Sequence, residues 1–167
     1  MLLSIAVSCG AAGRDPYTHF FNDTFGDFTE ELTVAREQGK KGILIFFEMD
    51  ECPFCHRMKQ TVLNQPRVQE WYRDNFLIFP VDVEGDTEIT DFEGNTMRSK
   101  DFAEKKNRVR ATPVFAFYDL EGNRVVRYTG ATSDVDEFLW LGEFVAEGHY
   151  KDTNFVRYKR QKRSQGE

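Results

Sequence analysis

The sequence predicts an α/β fold in which a central mixed sheet of four to five strands carries helices on both faces. Three observations predict it. An unbroken apolar run at 43–47 is followed by an amphipathic helix and then by a second apolar run at 76–83, the order of a strand–helix–strand unit. A third apolar run at 112–118 turns back at Glu121-Gly122-Asn123 into 124–128, an antiparallel hairpin. Capped helices flank these units, so layers of helix cover both faces of the sheet.

The elements follow in order. Phe20, Phe21, Phe25 and Phe28 make an aromatic-rich lead-in. A helix is expected over 27–38, with Asp27 or Thr29 as cap, Glu30 and Glu31 in the first turn, and Gly39 at its end. Phe28, Leu32 and Ala35 share one helical face. Lys40-Lys41-Gly42 turns into the strand at 43–47, whose continuous apolar character suits a central position. Pro53 opens the next helix, where a missing N–H costs nothing, and Asn64-Gln65-Pro66 ends it. Residues 67–75 form a further helix with Val68, Trp71 and Tyr72 inward. Pro80 assigns the 76–83 strand to a sheet edge, or starts the strand proper at Val81. Residues 84–109 form a polar insertion: a small hairpin over 89–97, then a crossover helix over 99–109 with Ser99 as cap. Ser133 or Asp134 caps the last long helix, whose broad apolar face includes Phe138, Leu141 and Phe144.

With 167 residues the chain is long enough for one domain with a substantial core, and its 16 Phe point to aromatic packing there. The expected divisions are a leader and linker at 1–19, a domain at 20–150 and a basic tail at 151–167. The net charge of −6 argues against nucleic acid as a partner. The basic run Arg157-Tyr158-Lys159-Arg160-Gln161-Lys162-Arg163 reads as a solvated tail. No stretch approaches the roughly 20 apolar residues that span a bilayer. Three cysteines do not make a disulfide scaffold. The segment 2–10 is apolar and small, then turns polar, like the end of a bacterial signal peptide. Ala6-Val7-Ser8-Cys9 is similar to a lipoprotein processing box, which makes Cys9 a candidate for acylation. Export from the cytoplasm is therefore expected.

The chemistry lies in Cys52-Pro53-Phe54-Cys55, at the junction between the 43–47 strand and the next helix. A helix N-terminus favours the thiolate through its dipole and free N–H groups. The thiolate is the species that attacks disulfides. Cys55, Met58 and Val62 fall on one apolar face. The spacing thus shields Cys55 and leaves Cys52 at an exposed helix mouth. The same residues admit a second class of function. Cys52-Pro53-Phe54-Cys55-His56 also satisfies the attachment pattern of a c-type haem, with His56 as axial ligand. Otherwise His56 is an exposed helix residue or a modest stabiliser of the Cys52 thiolate. His19, His56 and His149 show no ligand spacing with the cysteines, so no metal site is expected.

The element order, the cysteine pair and the later Thr112-Pro113 resemble the thioredoxin superfamily over about 28–150. Within it the chain is similar to exported bacterial thioredoxin-like proteins of the SoxW type. This likeness rests on Gly39-Lys40-Lys41, Arg110-Ala111-Thr112-Pro113-Val114-Phe115, Tyr128-Thr129-Gly130 and the ending Phe144-Val145-Ala146-Glu147-Gly148-His149-Tyr150-Lys151. The resemblance implies a thioredoxin fold and a disulfide oxidoreductase, more a reductase than an oxidase or isomerase. Cys52 would attack and Cys55 would resolve. Pro113 would be a cis-proline beside them, with Thr112 positioning substrate backbone. No cofactor is implied beyond the Cys52–Cys55 disulfide itself. The implied partners are exported proteins with disulfides and a membrane thiol electron donor of the DsbD type, with the chain acting as a monomer. A non-catalytic binding module on the same scaffold is the alternative. One position departs from the family: many thioredoxins bury a carboxylate six residues before the first cysteine, where this chain has Phe46. Glu48, on the same side of the strand by alternation, is the nearest acid. It is either a general base for Cys55 or a solvated residue at the strand end.

Overall fold

The computed structural model describes residues 12–166. The central strand β1 (Gly42–Glu48) pairs in parallel with β2 (Phe76–Asp82) and antiparallel with β5 (Val114–Tyr118). β6 (Arg124–Thr129) pairs antiparallel with β5, giving a four-stranded sheet in the order β2-β1-β5-β6. β2 is thus an edge strand, which tolerates Pro80. Part of its free edge is covered: Asn22 donates its backbone N–H to Ile78 O and accepts the Ile78 N–H on its side-chain oxygen.

Every residue of β1 is buried, because its two faces meet separate apolar layers. Leu44 and Phe46 join Phe115, Phe117, Phe76 and Ile78 on one face. Ile43, Ile45 and Phe47 join Val114, Ala116, Leu77 and Phe79 on the other. The first layer is covered by α3 (Pro53–Thr61), α4 (Pro66–Asn75) and α6 (Val135–Ala146). The second is covered by α2 (Phe28–Glu37) and the insertion. Asp27 caps α2 by accepting the Thr29 and Glu30 N–H groups. Asp134 caps α6 in the same way at Glu137.

The insertion contains the expected hairpin, β3 (Glu88–Thr90) with β4 (Thr96–Arg98). Its helix is shorter than expected. A single turn, α5 (Ser99–Asp101), widens into a π-helical turn at Phe102–Lys106. Arg108, at φ +52°, then stops it, since a left-handed residue cannot continue a right-handed helix.

Two segments differ from the sequence reading. Residues 12–19, expected as linker, are docked: Arg14 donates its backbone N–H to Asn64 O, and α1 (Pro16–His19) places Tyr17 against β1 and α3. The expected solvated tail is a helix, α7 (Phe155–Gln165), with Tyr158 buried against Phe144. Its lysines pair with acids of α6, Lys159 with Glu137 and Lys162 with Glu143. Cys9 lies outside the described residues.

Candidate active site

β1 runs out of the sheet core at Glu48, and four residues later Cys52 begins the turn into α3. Cys52 is the N-cap of α3 in extended conformation (φ −126°, ψ 97°), and Pro53 occupies the first helical position. The Cys52 sulfur accepts the Cys55 N–H at 3.1 Å and is bonded to the Cys55 sulfur, with the two Cα atoms 5.2 Å apart. A free helix-end N–H thus points at the sulfur, the geometry that favours negative charge there once the bond is reduced. The expected exposure of Cys52 is corrected: it is 2% exposed, against 0% for Cys55. The cap geometry is the reason. It folds the side chain back towards Cys55, into the apolar cluster that holds Phe46 and Met58.

Exposed surface at the site comes instead from Phe54, 56% exposed, with the Arg57 guanidinium 5.5 Å from its ring centre. Arg57 also donates to the Thr132 carbonyl at 3.2 Å, tying α3 to the loop before α6. His56 is exposed, and its Nε2 donates to the Asp50 carbonyl at 2.7 Å. Its ring therefore braces the loop that leads into Cys52.

The Thr112–Pro113 peptide bond is cis. The β1–β5 register pairs Phe47 with Val114, so Pro113 follows at the same end of the sheet as the cysteines. Its carbonyl accepts the Gly130 N–H at 2.8 Å. The Thr112 hydroxyl is buried without a partner among the described residues. It lines a cavity of about 460 Å³ with Met49, Val83, Ala103, Val109 and Arg110. That volume lies in the range of ligand pockets.

Glu48 is 9% exposed, so it is not a solvated strand end. Lys59, from the last turn of α3, lies 2.5 Å from its carboxylate. The Tyr17 hydroxyl donates to the other carboxylate oxygen at 3.1 Å and accepts from Lys59 at 2.8 Å. Burial raises the Tyr17 phenol, while contact with Lys59 partly offsets it. Burial alone would lower Lys59, but its hydrogen bonds to Glu48 and Tyr17 reverse this and hold it above its ordinary value. Sequence reasoning missed both partners. They lie 11 and 31 residues from Glu48, and neither follows from strand or helix periodicity.

The sulfurs that would carry haem are bonded to each other inside an apolar cluster, and the His56 ring is engaged by Asp50; dithiol chemistry fits this arrangement and haem attachment does not. Among the described residues no three His, Cys, Asp or Glu side chains are grouped to hold a metal ion.

A mixed four-stranded sheet with a Cys-x-x-Cys disulfide at the head of the helix after its central strand defines the class of thioredoxin-fold proteins that carry a cysteine pair. The chain belongs to the thioredoxin-like domain family, whose model matches residues 28–146. Similar solved structures include a thioredoxin-fold protein from Helicobacter pylori, 21% identical over 76% of this chain and 87% of its own, with a TM-score of 0.62. DsbH oxidoreductase is 16% identical over 88% of this chain and 94% of its own, at TM-score 0.57. A thioredoxin from Thermus thermophilus is 28% identical over 68% and 78%, at TM-score 0.51. No match was found among curated protein sequences. Both α1 and α7 lie outside the family match.

Proposed function

We propose that the protein is a thiol–disulfide oxidoreductase of the SoxW type that reduces protein disulfides outside the cytoplasm. One observation carries the reading. The Cys52 sulfur sits at a helix N-cap, on the Cys55 N–H, and within bonding distance of the Cys55 sulfur. In the dithiol form the Cys52 thiolate attacks a substrate disulfide. One substrate sulfur leaves as a thiol, and a mixed disulfide forms. The Cys55 thiolate then attacks Cys52, the second substrate sulfur leaves, and the Cys52–Cys55 disulfide closes. Two electrons have passed to the substrate. A membrane thiol donor of the DsbD type restores the dithiol.

In this reading Pro113 and Thr112 present the substrate backbone to Cys52. The unpartnered Thr112 hydroxyl and the cavity beside it support that role. Pro53 fixes the first turn of α3, Phe54 touches the substrate protein and His56 holds the entry loop. The site is complete within one chain, which supports a monomer. No helix among the described residues is long and apolar enough to cross a membrane. In this reading an acyl group on Cys9 is the membrane anchor.

Trapping tests the order of attack. Cys55→Ser should accumulate mixed disulfides with exported proteins and Cys52→Ser should not; the reverse pattern overturns the assignment. Equilibration with glutathione tests direction. A strongly negative potential means a reductase, and a value near that of the strong oxidants would make the protein an oxidase instead.

A further inference from the structure

The eleven residues of α7 carry five cations and no acid, in a chain whose net charge is −6. Packing sorts these cations. Lys159 and Lys162 turn inward and neutralise Glu137 and Glu143 of α6. Arg157 and Arg160 are exposed and form no ion pair among the described residues. Arg163 reaches Glu137 only at 3.5 Å, with 55% of its side chain exposed. At about 3.6 residues per turn, these three arginines and the exposed Val156 fill roughly a third of the helix circumference, on the side away from Tyr158. Stability does not explain the stripe. Arg157 and Arg160, and Arg160 and Arg163, are like charges three residues apart and repel. Arg157 also stands in the first turn of α7, where the helix dipole disfavours a cation.

The outer side of a helix is convex, and this one presents a line of long cations with one apolar residue at its head. An extended layer of negative charge over an apolar interior complements it, and a bilayer with anionic headgroups is such a layer. The acidic balance of the whole chain does not forbid the contact. Charges are screened beyond about 8 Å at physiological salt, so the surface meets the facing helix and not the remainder. The start of the described chain lies on the same side of the sheet. Arg14 pairs with Glu70 of α4, Tyr72 of α4 stacks on Phe138 of α6, and Phe144 of α6 packs on Tyr158 of α7. Cys9 precedes Ala12 by three residues, a reach of about 10 Å at most.

We propose that the face of α7 formed by Val156, Arg157, Arg160 and Arg163 docks the protein on anionic phospholipid headgroups. The inference needs neither the dithiol chemistry nor acylation of Cys9. The arginine forks grip phosphate oxygens, and Val156 meets the headgroup layer. Each basic residue near an anionic surface is worth about fivefold in affinity, so this face alone binds weakly and reversibly. Its main effect is orientation. Arg163 abuts Glu137, Glu137 accepts from Ser133, and the adjoining Thr132 accepts from Arg57 of α3. The docked helix is thus fastened to the helix that carries the cysteine pair, and the pair takes a fixed orientation to the bilayer.

The test is co-sedimentation of the full chain, in a Cys9→Ser background, with vesicles of phosphatidylcholine alone or mixed equally with phosphatidylglycerol. The parent should partition onto the mixed vesicles at about 0.1 M salt, where the Debye length is about 10 Å, and leave them at about 1 M, where it is about 3 Å. It should not bind phosphatidylcholine alone. Arg157→Gln with Arg160→Gln should weaken partitioning about 25-fold, two residues at fivefold each. Both side chains are exposed, so the fold is spared, and an unchanged melting temperature checks this. Lys41→Gln with Lys105→Gln removes the same charge from elsewhere on the surface and should change partitioning less than about twofold. Cys52→Ser should bind as the parent does, which separates this result from the dithiol reading. Equal losses in the two double variants, or equal binding to both kinds of vesicle, would overturn the inference. Binding to polyglutamate with none to the mixed vesicles would overturn it in favour of an acidic protein partner.

Discussion

The ammonium of Lys159 lies 2.7 Å from the carboxylate of Glu137, and that contact fastens α7 to α6. Glu137 is buried and also accepts from the Ser133 and Tyr128 hydroxyls. Ser133 adjoins Thr132, whose carbonyl Arg57 holds from α3. The C-terminal helix is thus connected to α3, which carries the cysteine pair, through one carboxylate and one loop.

Removing the cation tests this clamp. Lys159→Met leaves Glu137 buried with less compensation, and hydrogen bonds to charged groups are worth about 1.5–3 kcal/mol. A loss of that size should appear in urea unfolding, with α7 becoming protease-sensitive first. The pH dependence has a fixed sign. Burial alone would raise the Glu137 carboxyl, but hydrogen bonds from Lys159 and Ser133 outweigh it and hold it below its ordinary value. A depressed acid contributes stability above the unfolded carboxylate range, about 4.3, and loses it as pH falls through the folded value. Wild-type stability should fall on acidification below that range, and Lys159→Met should flatten the fall. Parallel acid curves would refute the clamp.

Gly142 poses a conflict between propensity and packing. In the middle of α6 an alanine would gain up to about 1 kcal/mol of helix propensity. Its Cβ, however, would lie 2.3 Å from the Trp71 ring and 2.9 Å from the ring of Tyr72. Tyr72 cannot yield. It is fully buried, stacked on Phe138 at 4.4 Å, and its hydroxyl donates to the Phe138 carbonyl. Overpacking costs about 1–3 kcal/mol, so Gly142→Ala should destabilise despite the better helix former. A raised melting temperature would show that α4 shifts freely against α6.

Asp91 anchors the insertion. It accepts the Glu93 and Asn95 N–H groups at 2.9 and 2.8 Å and lies 3.0 Å from Lys106. Desolvation would raise its carboxyl, but the Asn95 and Lys106 contacts prevail and depress it. Asp91→Asn should keep the turn yet weaken the link to the π-helical turn, and Asp91→Ala should lose both. Amide exchange of the hairpin should rise in that order. Equal exchange in all three proteins would show that the hairpin holds itself.

Much of the fold was legible because its elements obey local rules. Continuous apolar runs marked β1 and β5, Asp27 and Asp134 stood where caps belong, and Glu121-Gly122-Asn123 turned one strand into the next. The cysteine pair and Thr112-Pro113 marked the candidate site, and the fold brings both to one end of the sheet. What stayed hidden depends on contacts distant in sequence. Nothing in Arg157 to Arg163 says that Lys159 and Lys162 will find Glu137 and Glu143; read alone, the run is a solvated cationic tail. Tyr17 looked like part of a linker because its partners, Glu48 and Lys59, lie on other elements. The exposure of Cys52 was misread for another reason. Helical periodicity places a residue on a face, but an N-cap side chain turns back along the helix, and here it turns inward.

Phe54 offers the most direct test of how the site meets a protein. Its ring is 56% exposed, although Phe54 lies between the two bonded cysteines and directly precedes Cys55. Little holds it in the folded state besides the Arg57 guanidinium, so truncation should cost less than about 0.5 kcal/mol of stability. Aromatic and arginine side chains beside a reactive centre are typical anchors of protein contacts, each worth about 1–2 kcal/mol or more. Phe54→Ala should therefore lower kcat/KM for a protein disulfide about five- to thirtyfold, mostly through KM. Arg57→Ala should do the same to a smaller degree, because it frees the ring and releases the Thr132 carbonyl. Unchanged KM in both variants would mean that substrates dock elsewhere, with the cavity beside Thr112 and Arg110 the next surface to probe.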